Sequence, residues 1–146
     1  MKVYLDNCSF NRPFDAQSQL KVRLETEAKL FIQSKILLQE VSLVWSYILE
    51  FENNYNPYPE RKKLILEWKK LAIENIYETN NILNKARILL SMGIKSKDSL
   101  QVACAIEAAC DYFITTDTGI IRKLTNFEQI SVINPIQFIS IWEDKK

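Results

Sequence analysis

The chain has 146 residues, 47% of them hydrophobic and 25% charged, enough for one domain with its own core. Only 2 Gly and 4 Pro argue against an all-β sandwich, a collagen-like chain or a disordered tail. With no His, catalysis by Ser-His-Asp or Cys-His is excluded, as is a His-ligated zinc or iron site, while a net charge of +1 neither demands nor forbids a nucleic-acid partner.

In chain order, residues 2–5 read as a short strand stopped by Asp6-Asn7. Residues 16–39 follow the helical period, with Leu20, Leu24, Ala28, Phe31, Ile32 and Leu38 at three- and four-residue steps. The apolar run from Val41 to Trp45 suits a strand buried on both faces. Ser46 then caps a helix over 47–55, which Asn53 to Pro59 ends. Pro59 opens a helix running to about Lys70. Ala72 to Tyr77 is a strand candidate, and Thr79 to Ser91 is a helix closed near Met92-Gly93. Ser96 caps a helix from Lys97 to Ala109, followed by a strand from Tyr112 to Thr115 and a short helix over 118–124. Ile130 to Ile133 is the last strand, and Pro135 starts the last helix. The alternation of strands and helices predicts a single α/β domain over 1–146 with a parallel sheet between two helical layers.

Cys8, Cys104 and Cys110 are odd in number and lack C-x-x-C spacing, so neither a disulfide framework nor a zinc knuckle is indicated. Reduced thiols suit a cytoplasmic location. The opening apolar run is too short for a signal peptide, and no stretch of 18 apolar residues predicts a membrane span.

Ligands of an open parallel sheet gather beyond the carboxyl ends of its strands. Asp6 and Asp117 each follow a predicted strand, and Asp98 lies in the first turn of a helix that starts at the same edge. The helix after Ser46 starts there too and carries Glu50 and Glu52. Glu52 lies about 70° from the centre of that helix's apolar face and Glu50 about 130° away, so Glu52 is the better candidate. Each acid alone has a structural explanation: a turn residue (Asp6), dipole complementation (Asp98), a helix cap (Asp117), a surface acid (Glu52). Together they form a repelling cluster that a hard divalent cation would stabilise, and oxygen-only ligands select Mg²⁺ or Mn²⁺. Such ions serve phosphate chemistry. Among the scattered cations, Arg12 and Lys97 lie nearest the predicted cleft and are the candidates for holding a nucleic-acid backbone. Tyr55 and Tyr58 either stack on unpaired bases or cap a helix pair. Trp68 is a core residue or part of a dimer face.

Four segments together resemble the PIN domain family: Val3-Tyr4-Leu5-Asp6-Asn7; Ser46 with Glu52; Lys97-Asp98-Ser99-Leu100-Gln101-Val102-Ala103; and Asp111-Tyr112-Phe113-Ile114-Thr115-Thr116-Asp117. The resemblance implies a three-layer α/β/α fold with a parallel sheet in the order 3-2-1-4-5. It implies a Mg²⁺- or Mn²⁺-dependent endoribonuclease whose metal-binding and catalytic acids are Asp6, Glu52, Asp98 and Asp117. Thr115 matches the hydroxyl residue that supports the site and its substrate. Prokaryotic members of this length resemble the VapC-type toxins of toxin–antitoxin pairs, so RNA, an antitoxin and a second copy of the chain are the implied partners. The alternative is a catalytically silent module of the same fold that binds RNA or a protein.

Overall fold

The computed structural model describes residues 1–145. Five strands, β1 (Lys2–Leu5), β2 (Ser42–Ser46), β3 (Glu74–Ile76), β4 (Tyr112–Ile114) and β5 (Ser131–Ile133), form one sheet. All neighbours are parallel, in the order β3-β2-β1-β4-β5. The helices are α1 (Asn7–Asn11), α2 (Leu20–Leu37), α3 (Tyr47–Asn54), α4 (Pro59–Glu67), α5 (Asn80–Ser91), α6 (Ser96–Glu107), α7 (Thr118–Lys123) and α8 (Pro135–Asp144). α2 packs on α8 and α5 on α6.

The central strands are apolar through their middles because helices cover both faces of the sheet. Val3, Tyr4, Leu5, Leu43, Val44, Trp45, Phe113 and Ile114 are all fully buried. β1 sits in the middle, with Val3 opposite Leu43 on one side and Tyr112 on the other. The chain order reverses across β1, which places a topological switch point at its carboxyl end. Asp6 is the residue that follows.

The predicted elements are present, with four instructive differences. Residues 7–14, where the sequence predicts no element, form α1 and a 3₁₀ turn (Arg12–Phe14). Five residues are too few to show a helical period, and the Asp6 side chain organises the turn by accepting from Ser9 N at 2.9 Å. Ser96 does not cap α6; Lys95 occupies the cap position without a side-chain bond, and Ser96 is the first helical residue. The Pro59 helix ends at Glu67, and its last turn tightens into a 3₁₀ segment over Trp68–Leu71.

The fourth difference is rotational. The periodicity placed Leu20, Leu24 and Leu38 on the buried face of the 16–39 helix, yet all three are exposed. Ala28 and Ile32 of the same set are buried as expected, and with them α2 buries Val22, Glu25, Lys29, Gln33 and Ile36. Apolar residues lie on nearly every side of this helix, so tertiary packing rather than pattern chooses the face. Further along, Gly93 closes α5 at φ +91°, a left-handed position that glycine occupies without strain.

Candidate functional site

Two candidate acids, Asp6 and Asp117, follow strands, Asp98 lies in the first turn of α6, and Glu52 lies in the second half of α3. Asp6 ends β1, and its backbone N donates to Ile114 O of β4 at 3.2 Å. Its Oδ1 accepts from Ser9 N, and its Oδ2 accepts from the Thr115 hydroxyl at 2.5 Å. The same Thr115 oxygen accepts from the backbone N of Asp117 at 3.0 Å. Thr115 is fully buried, so in this conformation it ties Asp6 to the Asp117 turn rather than facing a cleft. Asp117 caps α7, its Oδ1 accepting from Gly119 N at 2.8 Å and Ile120 N at 3.2 Å. Among the described residues its second oxygen has no hydrogen-bond partner.

Glu52 and Glu50 make different contacts, although α3 buries Ile48, Leu49 and Asn53 and leaves Phe51 and Tyr55, expected on its apolar face, exposed. Glu52 is half-buried and accepts from the Gln101 amide of α6, whereas Glu50 pairs with Lys69 at 2.5 Å. Gln101 lies one turn beyond Asp98 and is buried. Sequence reasoning missed Gln101 because a lone Gln in an apolar helix carries no chemical signature. Ser46 is buried at the end of β2, caps α3 by accepting from Leu49 N at 3.2 Å, and bonds the Tyr4 hydroxyl at 2.6 Å. That network holds the start of α3, and with it Glu52, against the sheet.

The acids share one electrostatic neighbourhood. Burial pushes Asp6 up to about 7, and Asp98 adds to the rise against the opposing bonds from Thr115 and Ser9. Burial raises Asp98, with Asp117 adding and Lys95 opposing. Glu52 is raised by burial, pulled back by the Gln101 bond, raised again by Asp98 and lowered by Lys97. The Cys8 side chain is exposed and lines the same cleft as Asp117. Even so, among the described residues no three acidic or cysteine side chains are gathered closely enough to hold an ion as they stand.

Two small clefts open on this edge, and Asp117 lines both. One, of about 180 Å³, also holds Asp98, Lys95 and Lys123. The other, of about 320 Å³, holds Cys8, Asn11, Arg12 and Asp15. Arg12 is engaged: it donates to Asp15 at 3.1 Å and lies 3.3 Å from Glu25. Lys97 lies over the Phe51 ring, 5.7 Å from its centroid. Tyr58 stacks under the Arg61 guanidinium and Tyr55 packs on Phe51, so both rings serve the α3–α4 corner here.

The sheet order and the flanking helices match a PIN-like fold. The chain is similar in structure to a chain of VapBC2 from Rickettsia felis, solved bound to a DNA fragment from their promoter. The TM-score is 0.57 at 14% identity, over 92% of this chain and 98% of that one. It is also similar to a chain of VapBC-1 from nontypeable Haemophilus influenzae, with a TM-score of 0.59 at 16% identity, again over 92% of this chain and 98% of that one. No family model and no curated protein matches the sequence. No helix among the described residues is long and apolar enough to cross a membrane.

Proposed function

We propose that the protein is a metal-dependent endoribonuclease of the PIN type, acting in the cytoplasm as the toxin of a toxin–antitoxin pair. Its resemblance to VapBC chains, whose VapC component is a PIN domain, supports the antitoxin partner. The observation that carries the catalytic half is geometric: Asp6 and Asp117 follow the adjacent strands β1 and β4 and are tied through Thr115, while Asp98 and Asp117 line one cleft and Glu52 is bonded to Gln101, one turn beyond Asp98. Uncompensated carboxylates at such a place are costly, and an all-oxygen donor set fits Mg²⁺ or Mn²⁺.

Asp6, Asp98 and Asp117 would hold the ion, with Glu52 completing the site. A bound ion of this kind lowers the pKa of its water and neutralises charge building on a phosphodiester. Thr115 orients the Asp6 carboxylate, and Gln101 orients Glu52. Arg12 and Lys97 flank the acids and take the RNA backbone. A homodimer is part of the same proposal.

One observation favours the silent-module alternative, namely that no three acids are gathered into a ready ion cage among the described residues. Two measurements separate the readings. Mn²⁺ raises the melting temperature of the wild-type protein, and Asp98→Asn abolishes that rise. Wild type cleaves single-stranded RNA with Mn²⁺, and Asp98→Asn lowers the rate by about 100-fold or more, since even outer-shell partners of a metal are worth 10–100-fold. A protein that ignores Mn²⁺ in both assays is not this nuclease.

A further inference from the structure

The larger of the two clefts beside Asp117, about 320 Å³, is walled by α1, the 3₁₀ turn after it and the Thr116-Asp117 corner. One wall carries Asp15, whose carboxylate is held at both oxygens. Arg12 Nη1 donates to Oδ2 at 3.1 Å, and Arg61 Nη1 lies 3.7 Å from Oδ1. Both guanidinium groups are themselves fixed. Arg12 Nε lies 3.3 Å from the buried Glu25 carboxylate. Arg61 reaches over from α4, lies on the Tyr58 and Phe14 rings at 4.4 Å and 5.3 Å from their centroids, and donates to Phe14 O at 2.9 Å. A carboxylate oxygen has two lone pairs, so each Asp15 oxygen keeps one for a further donor.

Asn7 lines the same cleft. Its Oδ1 accepts from the Asn11 amide at 3.1 Å, and its Nδ2 is a donor without a partner among the described residues. The cleft therefore offers two fixed acceptor atoms and one donor. Charge decides what enters. Of the charged residues lining the cleft, Arg12 is the cation, against the anions Asp15 and Asp117. A phosphate is repelled there, whereas a neutral base carrying N–H donors is not. Unpaired bases are read on their Watson–Crick edges. Among the four RNA bases, guanine alone presents two adjacent N–H donors on that edge, N1–H and the 2-amino group, beside an acceptor, O6.

We propose that this cleft reads an unpaired guanine beside the scissile bond, with Asp15 accepting from N1–H and the 2-amino group and Asn7 donating to O6. This rests on the nuclease reading above and names the base next to which the RNA is cut. Asp15 is a specificity residue, outside the acids that would hold the ion. Asp117, which lines both clefts, joins the two.

The test uses uridine-rich RNAs about eight nucleotides long, within the reach of one single-strand site. Each carries one central guanosine, adenosine, cytidine or inosine, inosine being guanosine without its 2-amino group. Affinity is read by fluorescence anisotropy with Ca²⁺, and cleavage of the same RNAs is mapped with Mn²⁺. Wild type binds the guanosine RNA about tenfold more tightly than the adenosine or cytidine RNA and about fivefold more tightly than the inosine RNA, as for a two-bond contact that loses one bond. Cleavage falls next to the guanosine. Asp15→Asn, whose melting curve verifies its fold, brings guanosine and inosine within about twofold of each other. The inosine comparison on wild type needs no variant, so it decides the question even where Asp15→Asn unfolds. Equal affinity for guanosine and inosine, preference for another base, or an undiminished guanosine preference in folded Asp15→Asn overturns the proposal. Cleavage without guanine preference overturns the base-reading cleft alone, guanine preference without cleavage overturns the nuclease alone, and neither one overturns both.

Discussion

Asp6 shows how one residue serves two purposes. It is a helix cap, as a turn-forming Asp at a strand end can be, and it is also buried beside Asp98 with its pKa up to about 7. Between the unfolded value near 4 and the folded value, the native state binds the extra proton, so stability falls as pH rises through that window. Asp6→Asn keeps a capping oxygen and removes the charge. It raises the melting temperature of the metal-free protein at pH 8 by about 2–4 °C, the equivalent of about 1 kcal/mol, and flattens its pH dependence between 4 and 7. Lys29 has the opposite sign. Its folded pKa is lowered, so the unfolded state binds the extra proton between pH 7 and about 10, and stability rises with pH there. Lys29→Met removes that slope, which urea titrations at pH 7 and pH 9 detect. The sequence showed Asp6 through its place after an apolar run. It hid Lys29, because a Lys between apolar residues in a helix reads as solvated.

At the scale of elements, strand ends and helix starts do the positioning. Ser46 was legible as a cap, and it does cap α3, but the sequence did not reveal its bond to the Tyr4 hydroxyl. Ser46→Ala therefore loses a cap and strands a buried hydroxyl. It costs about 2–3 kcal/mol, from about 1 for the cap and 1–2 for the orphaned group, seen as a lower urea midpoint. Ser96 looked equally good as a cap and is not one, since the chain turns into α6 one residue earlier, at Lys95. Helix starts are decided within a residue or two by how the preceding loop arrives, and the Gly93–Lys95 approach is set by packing against α7, where Lys123 donates to Gly93 O at 2.7 Å. α1 escaped notice for a related reason. A single turn held by one side chain leaves too little pattern to read.

For the molecule as a whole, the sheet is the frame that brings distant acids to one edge. Phe113 is fully buried on the strand joining β1 to β5, and its ring stacks 5.3 Å from Tyr4, itself bonded to Ser46. Phe113→Ala opens a cavity at the centre of that frame. It destabilises the fold by about 3–5 kcal/mol in chemical denaturation and weakens Mn²⁺ stabilisation along with it. An effect on metal response without a loss of stability would separate the frame from the site.

Alternation of apolar runs with helical periods was enough to specify a parallel α/β domain, because burial on both faces demands continuous apolar strands and covering helices. The places of Asp6 and Asp117 just past strands and of Asp98 at a helix start were also written locally. Three things were settled only by the tertiary structure: the face that α2 buries, the Thr115 and Gln101 bonds that hold the acids, and the cleft around Asp15. Each depends on contacts between residues far apart in the chain. Local periodicity measures what a segment could bury, whereas the competition among all segments for the same interior decides what it does bury.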